Sequence, residues 1–583
     1  LTGFLARYAR SALVTFGGEA VSVPGQACRV LIHGYVANRD DLRRRFSLPA
    51  AAGDADFIAH AYRRFGPGLA AHVFGQYAAA IVDDAVPALL LTHDALGVLG
   101  LFHAETPEGL LFGSSLADLV AETGVGELDR DYIAQALAGA EDHGARTPYS
   151  HIRRLRQGHA MGVRAGGARE VRTYDPASIR PLRLTSPSVY EDQLRELAIE
   201  AVRTALPSQG KVWSELSGGL DSSSVVAIAA GVLGAPVETF STVFSRSPEA
   251  DETDWIAAVL KAYPLVSHRL DASQTPPFGP LPDTFQAEPT GAALIQGFDN
   301  ARRALLRAHR VDVVLTGMCG DAVFVGDSPQ PYYLADIINP FQAARELTLW
   351  TRRSGLGRPP AYWLRRFCLE PRLNRLSGRP FRPPPAPPPW SGPAMTTWRP
   401  SAPLRRRIGG MSIGDEYFWD RVLRGALLVG DGQQLLPGAC EFRNPWLYPP
   451  LVEFMAAAPW PVKLRPDLDR PLQRRALSGV LPEITRSRRG KRTPGQAFFA
   501  GLGASGPWID LLTRRPAIIE QGWVDGDGWR QAVDLAGRGF CRSPSAFMRA
   551  CMVESWFATL PLAPRTAREY RERAPMAKAA PGR

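Results

Sequence analysis

Cysteine is scarce in this chain of 583 residues: Cys28, Cys319, Cys368, Cys440, Cys541 and Cys551 form no CxxC pair and no spacing that would gather metal ligands. A disulfide framework and a structural zinc site are thereby excluded, and the chain reads as a reduced protein. No uninterrupted apolar run reaches the roughly 18 residues expected of a membrane span. No charged-then-apolar leader opens the sequence, so a cytoplasmic protein with no membrane partner is expected. A GxxxxGK[ST] loop is missing throughout, which disfavours a Walker-type phosphoryl transferase. Internal repeats are missing as well.

What is present is ordinary for a globular protein: 45% hydrophobic and 21% charged residues. The length exceeds what one core supports, so two domains are expected. The formal charge of +11 is carried by arginines from Arg7 to Arg583. Read as scattered, they predict a solvated basic surface and no nucleic-acid partner, although an anionic substrate or acidic peptide would also be served.

Residues 1–180 read as short strands with turn signals, at 29–36, 72–83 and 88–93, interrupted by amphipathic helices near 56–64 and 131–138. From about Ser188 the texture changes to helices alternating with apolar strands. A helix over 190–206 precedes strands at 211–216, 237–244, 266–270 and 311–316, with helices at 254–261 and 299–309 between them. That alternation predicts a parallel sheet covered by helices. The proline-rich stretch 379–400 is expected to be a loop, because proline fixes φ and removes a backbone donor. A mainly helical region then runs to about Leu562, and 566–583 is expected to be a flexible tail.

The sharpest local signal is Leu216-Ser217-Gly218-Gly219-Leu220-Asp221-Ser222-Ser223, between the strand at 211–216 and a helix expected over 224–230. Glycines let backbone approach phosphate oxygens, a helix N-terminus adds unpaired N–H groups, and Ser217, Ser222 and Ser223 add hydroxyls. A capped turn is the plainer alternative. The segment resembles the pyrophosphate loop of the ATP pyrophosphatases, and in particular the SGGLDSS of the asparagine synthetase superfamily. Further segments follow in that family's order: Asp251-Glu252, the second loop Thr316-Gly317-Met318-Cys319-Gly320-Asp321, Glu441-Phe442-Arg443-Asn444-Pro445-Trp446-Leu447, Leu481-Pro482 and Arg489-Gly490-Lys491.

The resemblance implies an α/β PP-loop, HUP-like synthetase domain with a helical C-terminal region over 188–565. ATP and pyrophosphate would meet Leu216, Ser217, Gly218, Gly219, Asp221, Ser222, Ser223, Val243, Phe244, Gly317 and Lys491. Asp221 and Asp321 would hold Mg²⁺, whose preference is for hard oxygen ligands. Lys491 would offset growing negative charge; on the residues alone it is a solvated lysine in the basic run 486–492. Cys319 is expected to be a small packing residue.

Residues 1–180 are implied to be an α+β, Ntn-hydrolase-like glutaminase domain, by similarity of His33-Gly34-Tyr35-Val36-Ala37-Asn38, Phe74-Gly75-Gln76-Tyr77-Ala78 and Leu111-Phe112-Gly113-Ser114-Ser115-Leu116. Active members use an N-terminal cysteine followed by glycine; Thr2 stands in that place, and a scaffold is expected. The attacking amine would then come from the substrate. Met318 stands where β-lactam synthetases carry a tyrosine. Among the family's branches the chain looks most like a lasso peptide cyclase. Its substrate would be a precursor core peptide, and its partners leader-binding and leader-cleaving proteins. An asparagine synthetase, a β-lactam synthetase-like ligase and a non-catalytic peptide carrier remain the alternatives.

Overall fold

The computed structural model describes residues 3–9, 12–86, 88–139, 144–164, 167–326, 330–381, 386–399, 410–434, 440–490 and 497–564. The amino-terminal part is two antiparallel sheets packed face to face. One runs in the order Ala12–Gly17, Leu5–Ala9, Gly109–Gly113, Phe102–Thr106, Arg153–Arg154. The other runs Gly167–Arg172, His159–Arg164, Ala88–His93, Gly75–Asp83, Cys28–Val36, Val21–Val23. Period-two alternation explains the layering. Along Gly75–Asp83, Ala78, Ala80 and Val82 join Phe4, Ala6 and Phe112 between the sheets, whereas Tyr77, Ala79 and Ile81 meet Phe57, Ile58 and Ala61 of the helix Asp54–Phe65. The strand expected from residue 72 starts at Gly75, because Gly66–Ala71 is a 3₁₀ turn.

The second part is a five-stranded parallel sheet of β1 (Val212–Glu215), β2 (Val237–Val243), β3 (Ser267–Asp271), β4 (Val313–Leu315) and β5 (Glu441–Arg443), in the order β3-β2-β1-β4-β5. Its helices include α1 (Pro187–Ala205), α2 (Leu220–Val226), α3 (Thr253–Ala262) and α4 (Gln296–Ala308). Pro187 in the first turn of α1 has the φ that a helix start needs. Leu194, Ala198, Ala201, Val202 and Ala205 then bury one face of α1 against the sheet side carrying Val212, Val313 and Leu315. The chain moves outward from β1 through β2 to β3, then returns past β1 to β4 and β5. The direction therefore reverses between β1 and β4, and in such sheets ligands bind at the carboxyl ends of the strands at that switch point.

Three local expectations change. The helix after the pyrophosphate loop opens at Leu220, inside the motif, and turns to π geometry over Ala227–Val232. The proline-rich segment contains a helical turn, Pro393–Thr397, seated where Pro393 needs no N–H partner. Arginine is scattered along the chain but not evenly: nine arginines stand with two glutamates between Phe341 and Phe381. The stretch 566–583 lies outside the described residues.

The carboxyl-terminal helices do not form a separate body. Phe547, Trp556 and Phe557 of the helix Pro544–Thr559 share a buried cluster with Leu5, Phe102, Leu116 and Ile133. At a second seam, Gly430 of α5 (Ile413–Gln434) meets the Val98 carbonyl so closely that an added Cβ would overlap that oxygen. Gly430→Ala is therefore expected to lower the melting temperature by about 2–6 °C through overpacking. Gly506→Ala, in open space, serves as the control in the same calorimetric scan; equal melting temperatures for both variants would refute the tight seam.

Candidate functional site

β1 ends at Glu215 and delivers the first loop; β4 ends at Leu315 and delivers the second beside it, because Ser214 pairs with Leu315. Leu216 is buried with Val226, Ile256 and Val259, so it meets a ligand only through its backbone. Gly218 takes φ +71°, a conformation favouring glycine. Gly219 is the N-cap of α2. The serines divide. Ser217 and Ser222 join Oγ to Oγ at 2.9 Å, and Ser222 Oγ also accepts from Ser217 N at 3.1 Å, which fixes the loop's curvature. Ser223 is fully buried, with its Oγ bonded to nothing among the described residues. The helix starts three residues before it, which carries its hydroxyl into the interior.

The second loop lies on the first. A Cβ on Gly317 would sit 2.5 Å from Ser222 N, and one on Gly320 would overlap the Asp221 carboxyl. Thr316 Oγ1 accepts from Met318 N at 3.1 Å and donates to Asn444 Oδ1 at 2.6 Å. Met318 is 51% exposed. Cys319 is the N-cap of a short turn, Gly320–Val323, in the left-handed region with φ +65°. Its thiol packs on Gly425 of α5, and burial raises its pKa to about 12, so it acts as filler and not as a nucleophile.

Asp221 and Asp321 converge on one guanidinium. Arg470, which N-caps α6 (Pro471–Ala476), donates from Nη1 to Asp221 Oδ2 at 2.8 Å and from Nη2 to Asp321 Oδ1. Gln473 Nε2 reaches the other Asp221 oxygen at 3.2 Å. Burial pushes the Asp221 carboxyl up, Arg470 opposes that, and Asp321 adds to it. The space between the carboxylates thus already holds a cation, and a pair of hard oxygen donors there suits Mg²⁺. The Asp321 carbonyl accepts from Arg421 at 2.7 Å and from Gly326 N at 2.8 Å, which holds the turn.

Behind the first loop stands Arg488, with its side chain 5% exposed. It donates to the Gly218 carbonyl at 3.0 Å, pairs with Glu252 and lies 4.1 Å from the Trp255 ring centroid. Glu252 N-caps α3, and Asp251 accepts from Thr253 N at 3.0 Å. Val243 ends β2 and Phe244 follows it; both are half-buried beside the first loop's strand. Lys491 lies outside the described residues. Sequence reading missed Arg470, Gln473, Arg488 and Arg421; the i, i+3 pair Arg470 and Gln473 just before Leu481-Pro482 was the available signal.

The segment 441–447 ties the two parts together. Arg443 donates to the Ala205 carbonyl, pairs with Glu441 at 2.9 Å and stacks 4.1 Å from the Tyr35 ring. Asn444 exchanges hydrogen bonds with Gln76 of the amino-terminal sheet, at 2.9 and 3.2 Å. In that sheet His33 is half-buried, its Nδ1 lies out of solvent and is bonded to nothing among the described residues, and burial pushes its pKa down to about 4. Cys28 points into the apolar cluster with Val30 and Tyr77. Leu1 and Thr2 lie outside the described residues.

Residues 193–558 match the family model described as asparagine synthase, and residues 21–175 match the glutamine amidotransferase domain. Asparagine synthetase (glutamine-hydrolyzing) 3 of Bacillus subtilis strain 168 is 22% identical, with 92% of this chain and 88% of that protein covered. A putative asparagine synthetase (glutamine-hydrolyzing) of Mycobacterium bovis is 26% identical, with 77% and 72% covered. Among the described residues, no helix is long and apolar enough to cross a membrane.

Gly320→Ala would push the Asp221 carboxyl off its present position. ATP-dependent pyrophosphate release should then fall by about 100-fold or more, the scale of an ångström misplacement, with circular dichroism unchanged. Wild-type turnover in a folded Gly320→Ala protein would show that the close approach of the loops is dispensable.

Proposed function

The chain belongs to the asparagine synthase family, and from that premise we propose that it closes a precursor core peptide into a lasso peptide macrolactam. The family is one of ATP-dependent carbon–nitrogen ligases that use Mg²⁺ and form AMP. In the proposed reaction an Asp or Glu side-chain carboxylate of the peptide is adenylated, pyrophosphate leaves, and the peptide's own N-terminal amine forms the amide. Bound Mg·ATP supplies the electrophilic phosphorus; this chain's residues supply position and charge.

Asp221 and Asp321 are the proposed metal ligands. The backbone of 216–219, with Ser217, Ser222 and Gly317, is the proposed phosphate cradle, flanked by Val243 and Phe244, and Lys491 is the proposed charge facing the developing anion. Convergence of the two carboxylates on one cation is the observation that carries the ligase assignment. The peptide substrate is supported by Met318. Half exposed beside Asp321, it offers no proton-transfer group, as suits an amine nucleophile that needs none: an α-amino group with a pKa of roughly 7.7–8.0 is partly neutral near pH 7. Partners proposed on the same reading are a leader-binding and a leader-cleaving protein, which expose that amine.

Asparagine synthesis is the second reading, favoured by the names of the relatives. Pyrophosphate release assayed with a leader-free core peptide, with mass spectrometry of the peptide, separates the two. Peptide-dependent release with loss of one water, reduced about 100-fold or more in Asp221→Ala by loss of charge stabilisation, is the expected result. Release that follows aspartate plus ammonia or glutamine and ignores the peptide would establish the second reading instead.

A further inference from the structure

Arg470 is no part of the loops that its guanidinium joins. Its side chain is 9% exposed and sits between Asp221 and Asp321. The pocket is shaped for it: a Cβ on Gly326 would overlap Arg470 Nε, so the turn after Asp321 leaves room for this side chain. The backbone at residue 470 is fixed. It holds φ +49° and ψ +45°, uncommon for a residue other than glycine, its carbonyl accepts from Arg474 N at 3.1 Å, and Pro471 follows as the first residue of α6. Any displacement of the guanidinium is therefore a rotation of the side chain alone.

We propose that Arg470 is a place-holding cation: it stands on the metal carboxylates in the nucleotide-free enzyme and exchanges partners when Mg·ATP binds, passing Asp221 and Asp321 to the metal and pairing with the phosphates. This rests on the reading of those two aspartates as metal ligands. Charge pairing drives the exchange. The two carboxylates, Asp221 14% and Asp321 39% exposed, repel, and Arg470 holds them together. Free Mg²⁺ arriving alone would take both carboxylates and leave the 9% exposed guanidinium with weaker pairing, such as Asp469 at 3.8 Å from Nε, which is costly. Metal arriving with a triphosphate brings the anion that the guanidinium needs, and a planar fork of donors suits phosphate oxygens. Gln473, on Asp221's other oxygen, keeps its place throughout. The enzyme would accordingly refuse free divalent metal and accept the metal–nucleotide complex as a unit.

Mn²⁺ binding to the full-length protein, read by electron paramagnetic resonance, tests this without turnover. Without nucleotide, Arg470→Gln should bind Mn²⁺ roughly 5- to 150-fold more tightly than wild type, the usual span of coupling between two ligands. With the non-hydrolysable α,β-methylene ATP present, wild type should hold Mn²⁺ and nucleotide together, while Arg470→Gln binds the nucleotide more weakly by a factor in that same rough range. Arg470→Lys keeps the charge but loses the fork. It should still exclude free Mn²⁺ and bind the analogue more weakly than wild type, and it covers the case in which the glutamine variant does not fold. Equal Mn²⁺ affinity in nucleotide-free wild type and Arg470→Gln, or a lysine variant that binds the analogue as well as wild type, overturns the exchange. If Asp221→Asn holds Mn²⁺ and the analogue as tightly as wild type, the assignment of the metal ligands fails instead.

Discussion

The second loop rests directly on the first because Gly317 and Gly320 present no side chain to Ser222 and Asp221. That approach distance governs the site. Strands β1 and β4 are neighbours at the point where the sheet's order reverses, so their loops leave side by side. Adjacent strands lie about 4.8 Å apart, and any larger residue at 317 or 320 would hold the loops away from each other. With glycine at both, Asp221 and Asp321 come within reach of a single guanidinium. Like charges so placed are stabilised by a cation between them, and the arginine of α6 supplies one.

The amino-terminal sheets bear on this arrangement through hydrogen bonds. Gln76, at the end of a wholly buried strand, holds both the side chain and the carbonyl of Asn444. Asn444 in turn accepts from Thr316, the residue that opens the second loop. The amino-terminal domain thus braces the synthetase part, its contribution passing through three polar side chains to the backbone that carries Met318. Buried amides of this kind are costly to leave unpaired, which makes the seam specific as well as adhesive. Tyr35 under Arg443 adds an aromatic face to the same seam.

How much of this could be read beforehand follows from how local each signal is. The loop 216–223 announces itself because glycines, an aspartate and serines between a strand and a helix are needed within a few residues of one another. The seven strands named from the sequence came through to within two or three residues for the same reason, alternation and apolar runs being local, while others such as Leu5–Ala9, Phe102–Thr106, Gly109–Gly113 and Glu441–Arg443 went unnamed. The start of α2 did not, because Leu220, Asp221 and Ser222 read as loop until their N–H groups are seen at the helix's first turn. Arg470 and Arg488 were invisible as functional residues. Their partners lie 249, 149 and 270 positions away, and an arginine in a basic stretch looks solvated when only its neighbours in sequence are known. The run 486–492 is in fact divided: Arg486 pairs with nearby Glu483, while Arg488 is buried behind the loop. The cluster of arginines between Phe341 and Phe381 was countable and was lost by treating the chain's charge as a single sum.

The two buried arginines flank the first loop and do opposite work, which their partners decide. Arg488 holds a backbone carbonyl, the Glu252 carboxylate and an indole face, none of them a proposed ligand of the metal–nucleotide complex. It is a fixed strut, paired with Glu252 at the start of α3. Arg470 holds the two carboxylates that are the proposed metal ligands. Its grip is therefore conditional, although the two guanidinium groups are buried to a similar degree. A site built from one permanent and one exchangeable cation keeps the loop's shape constant while its electrostatics change with occupancy, as an enzyme that must bind a polyanion and later release pyrophosphate requires.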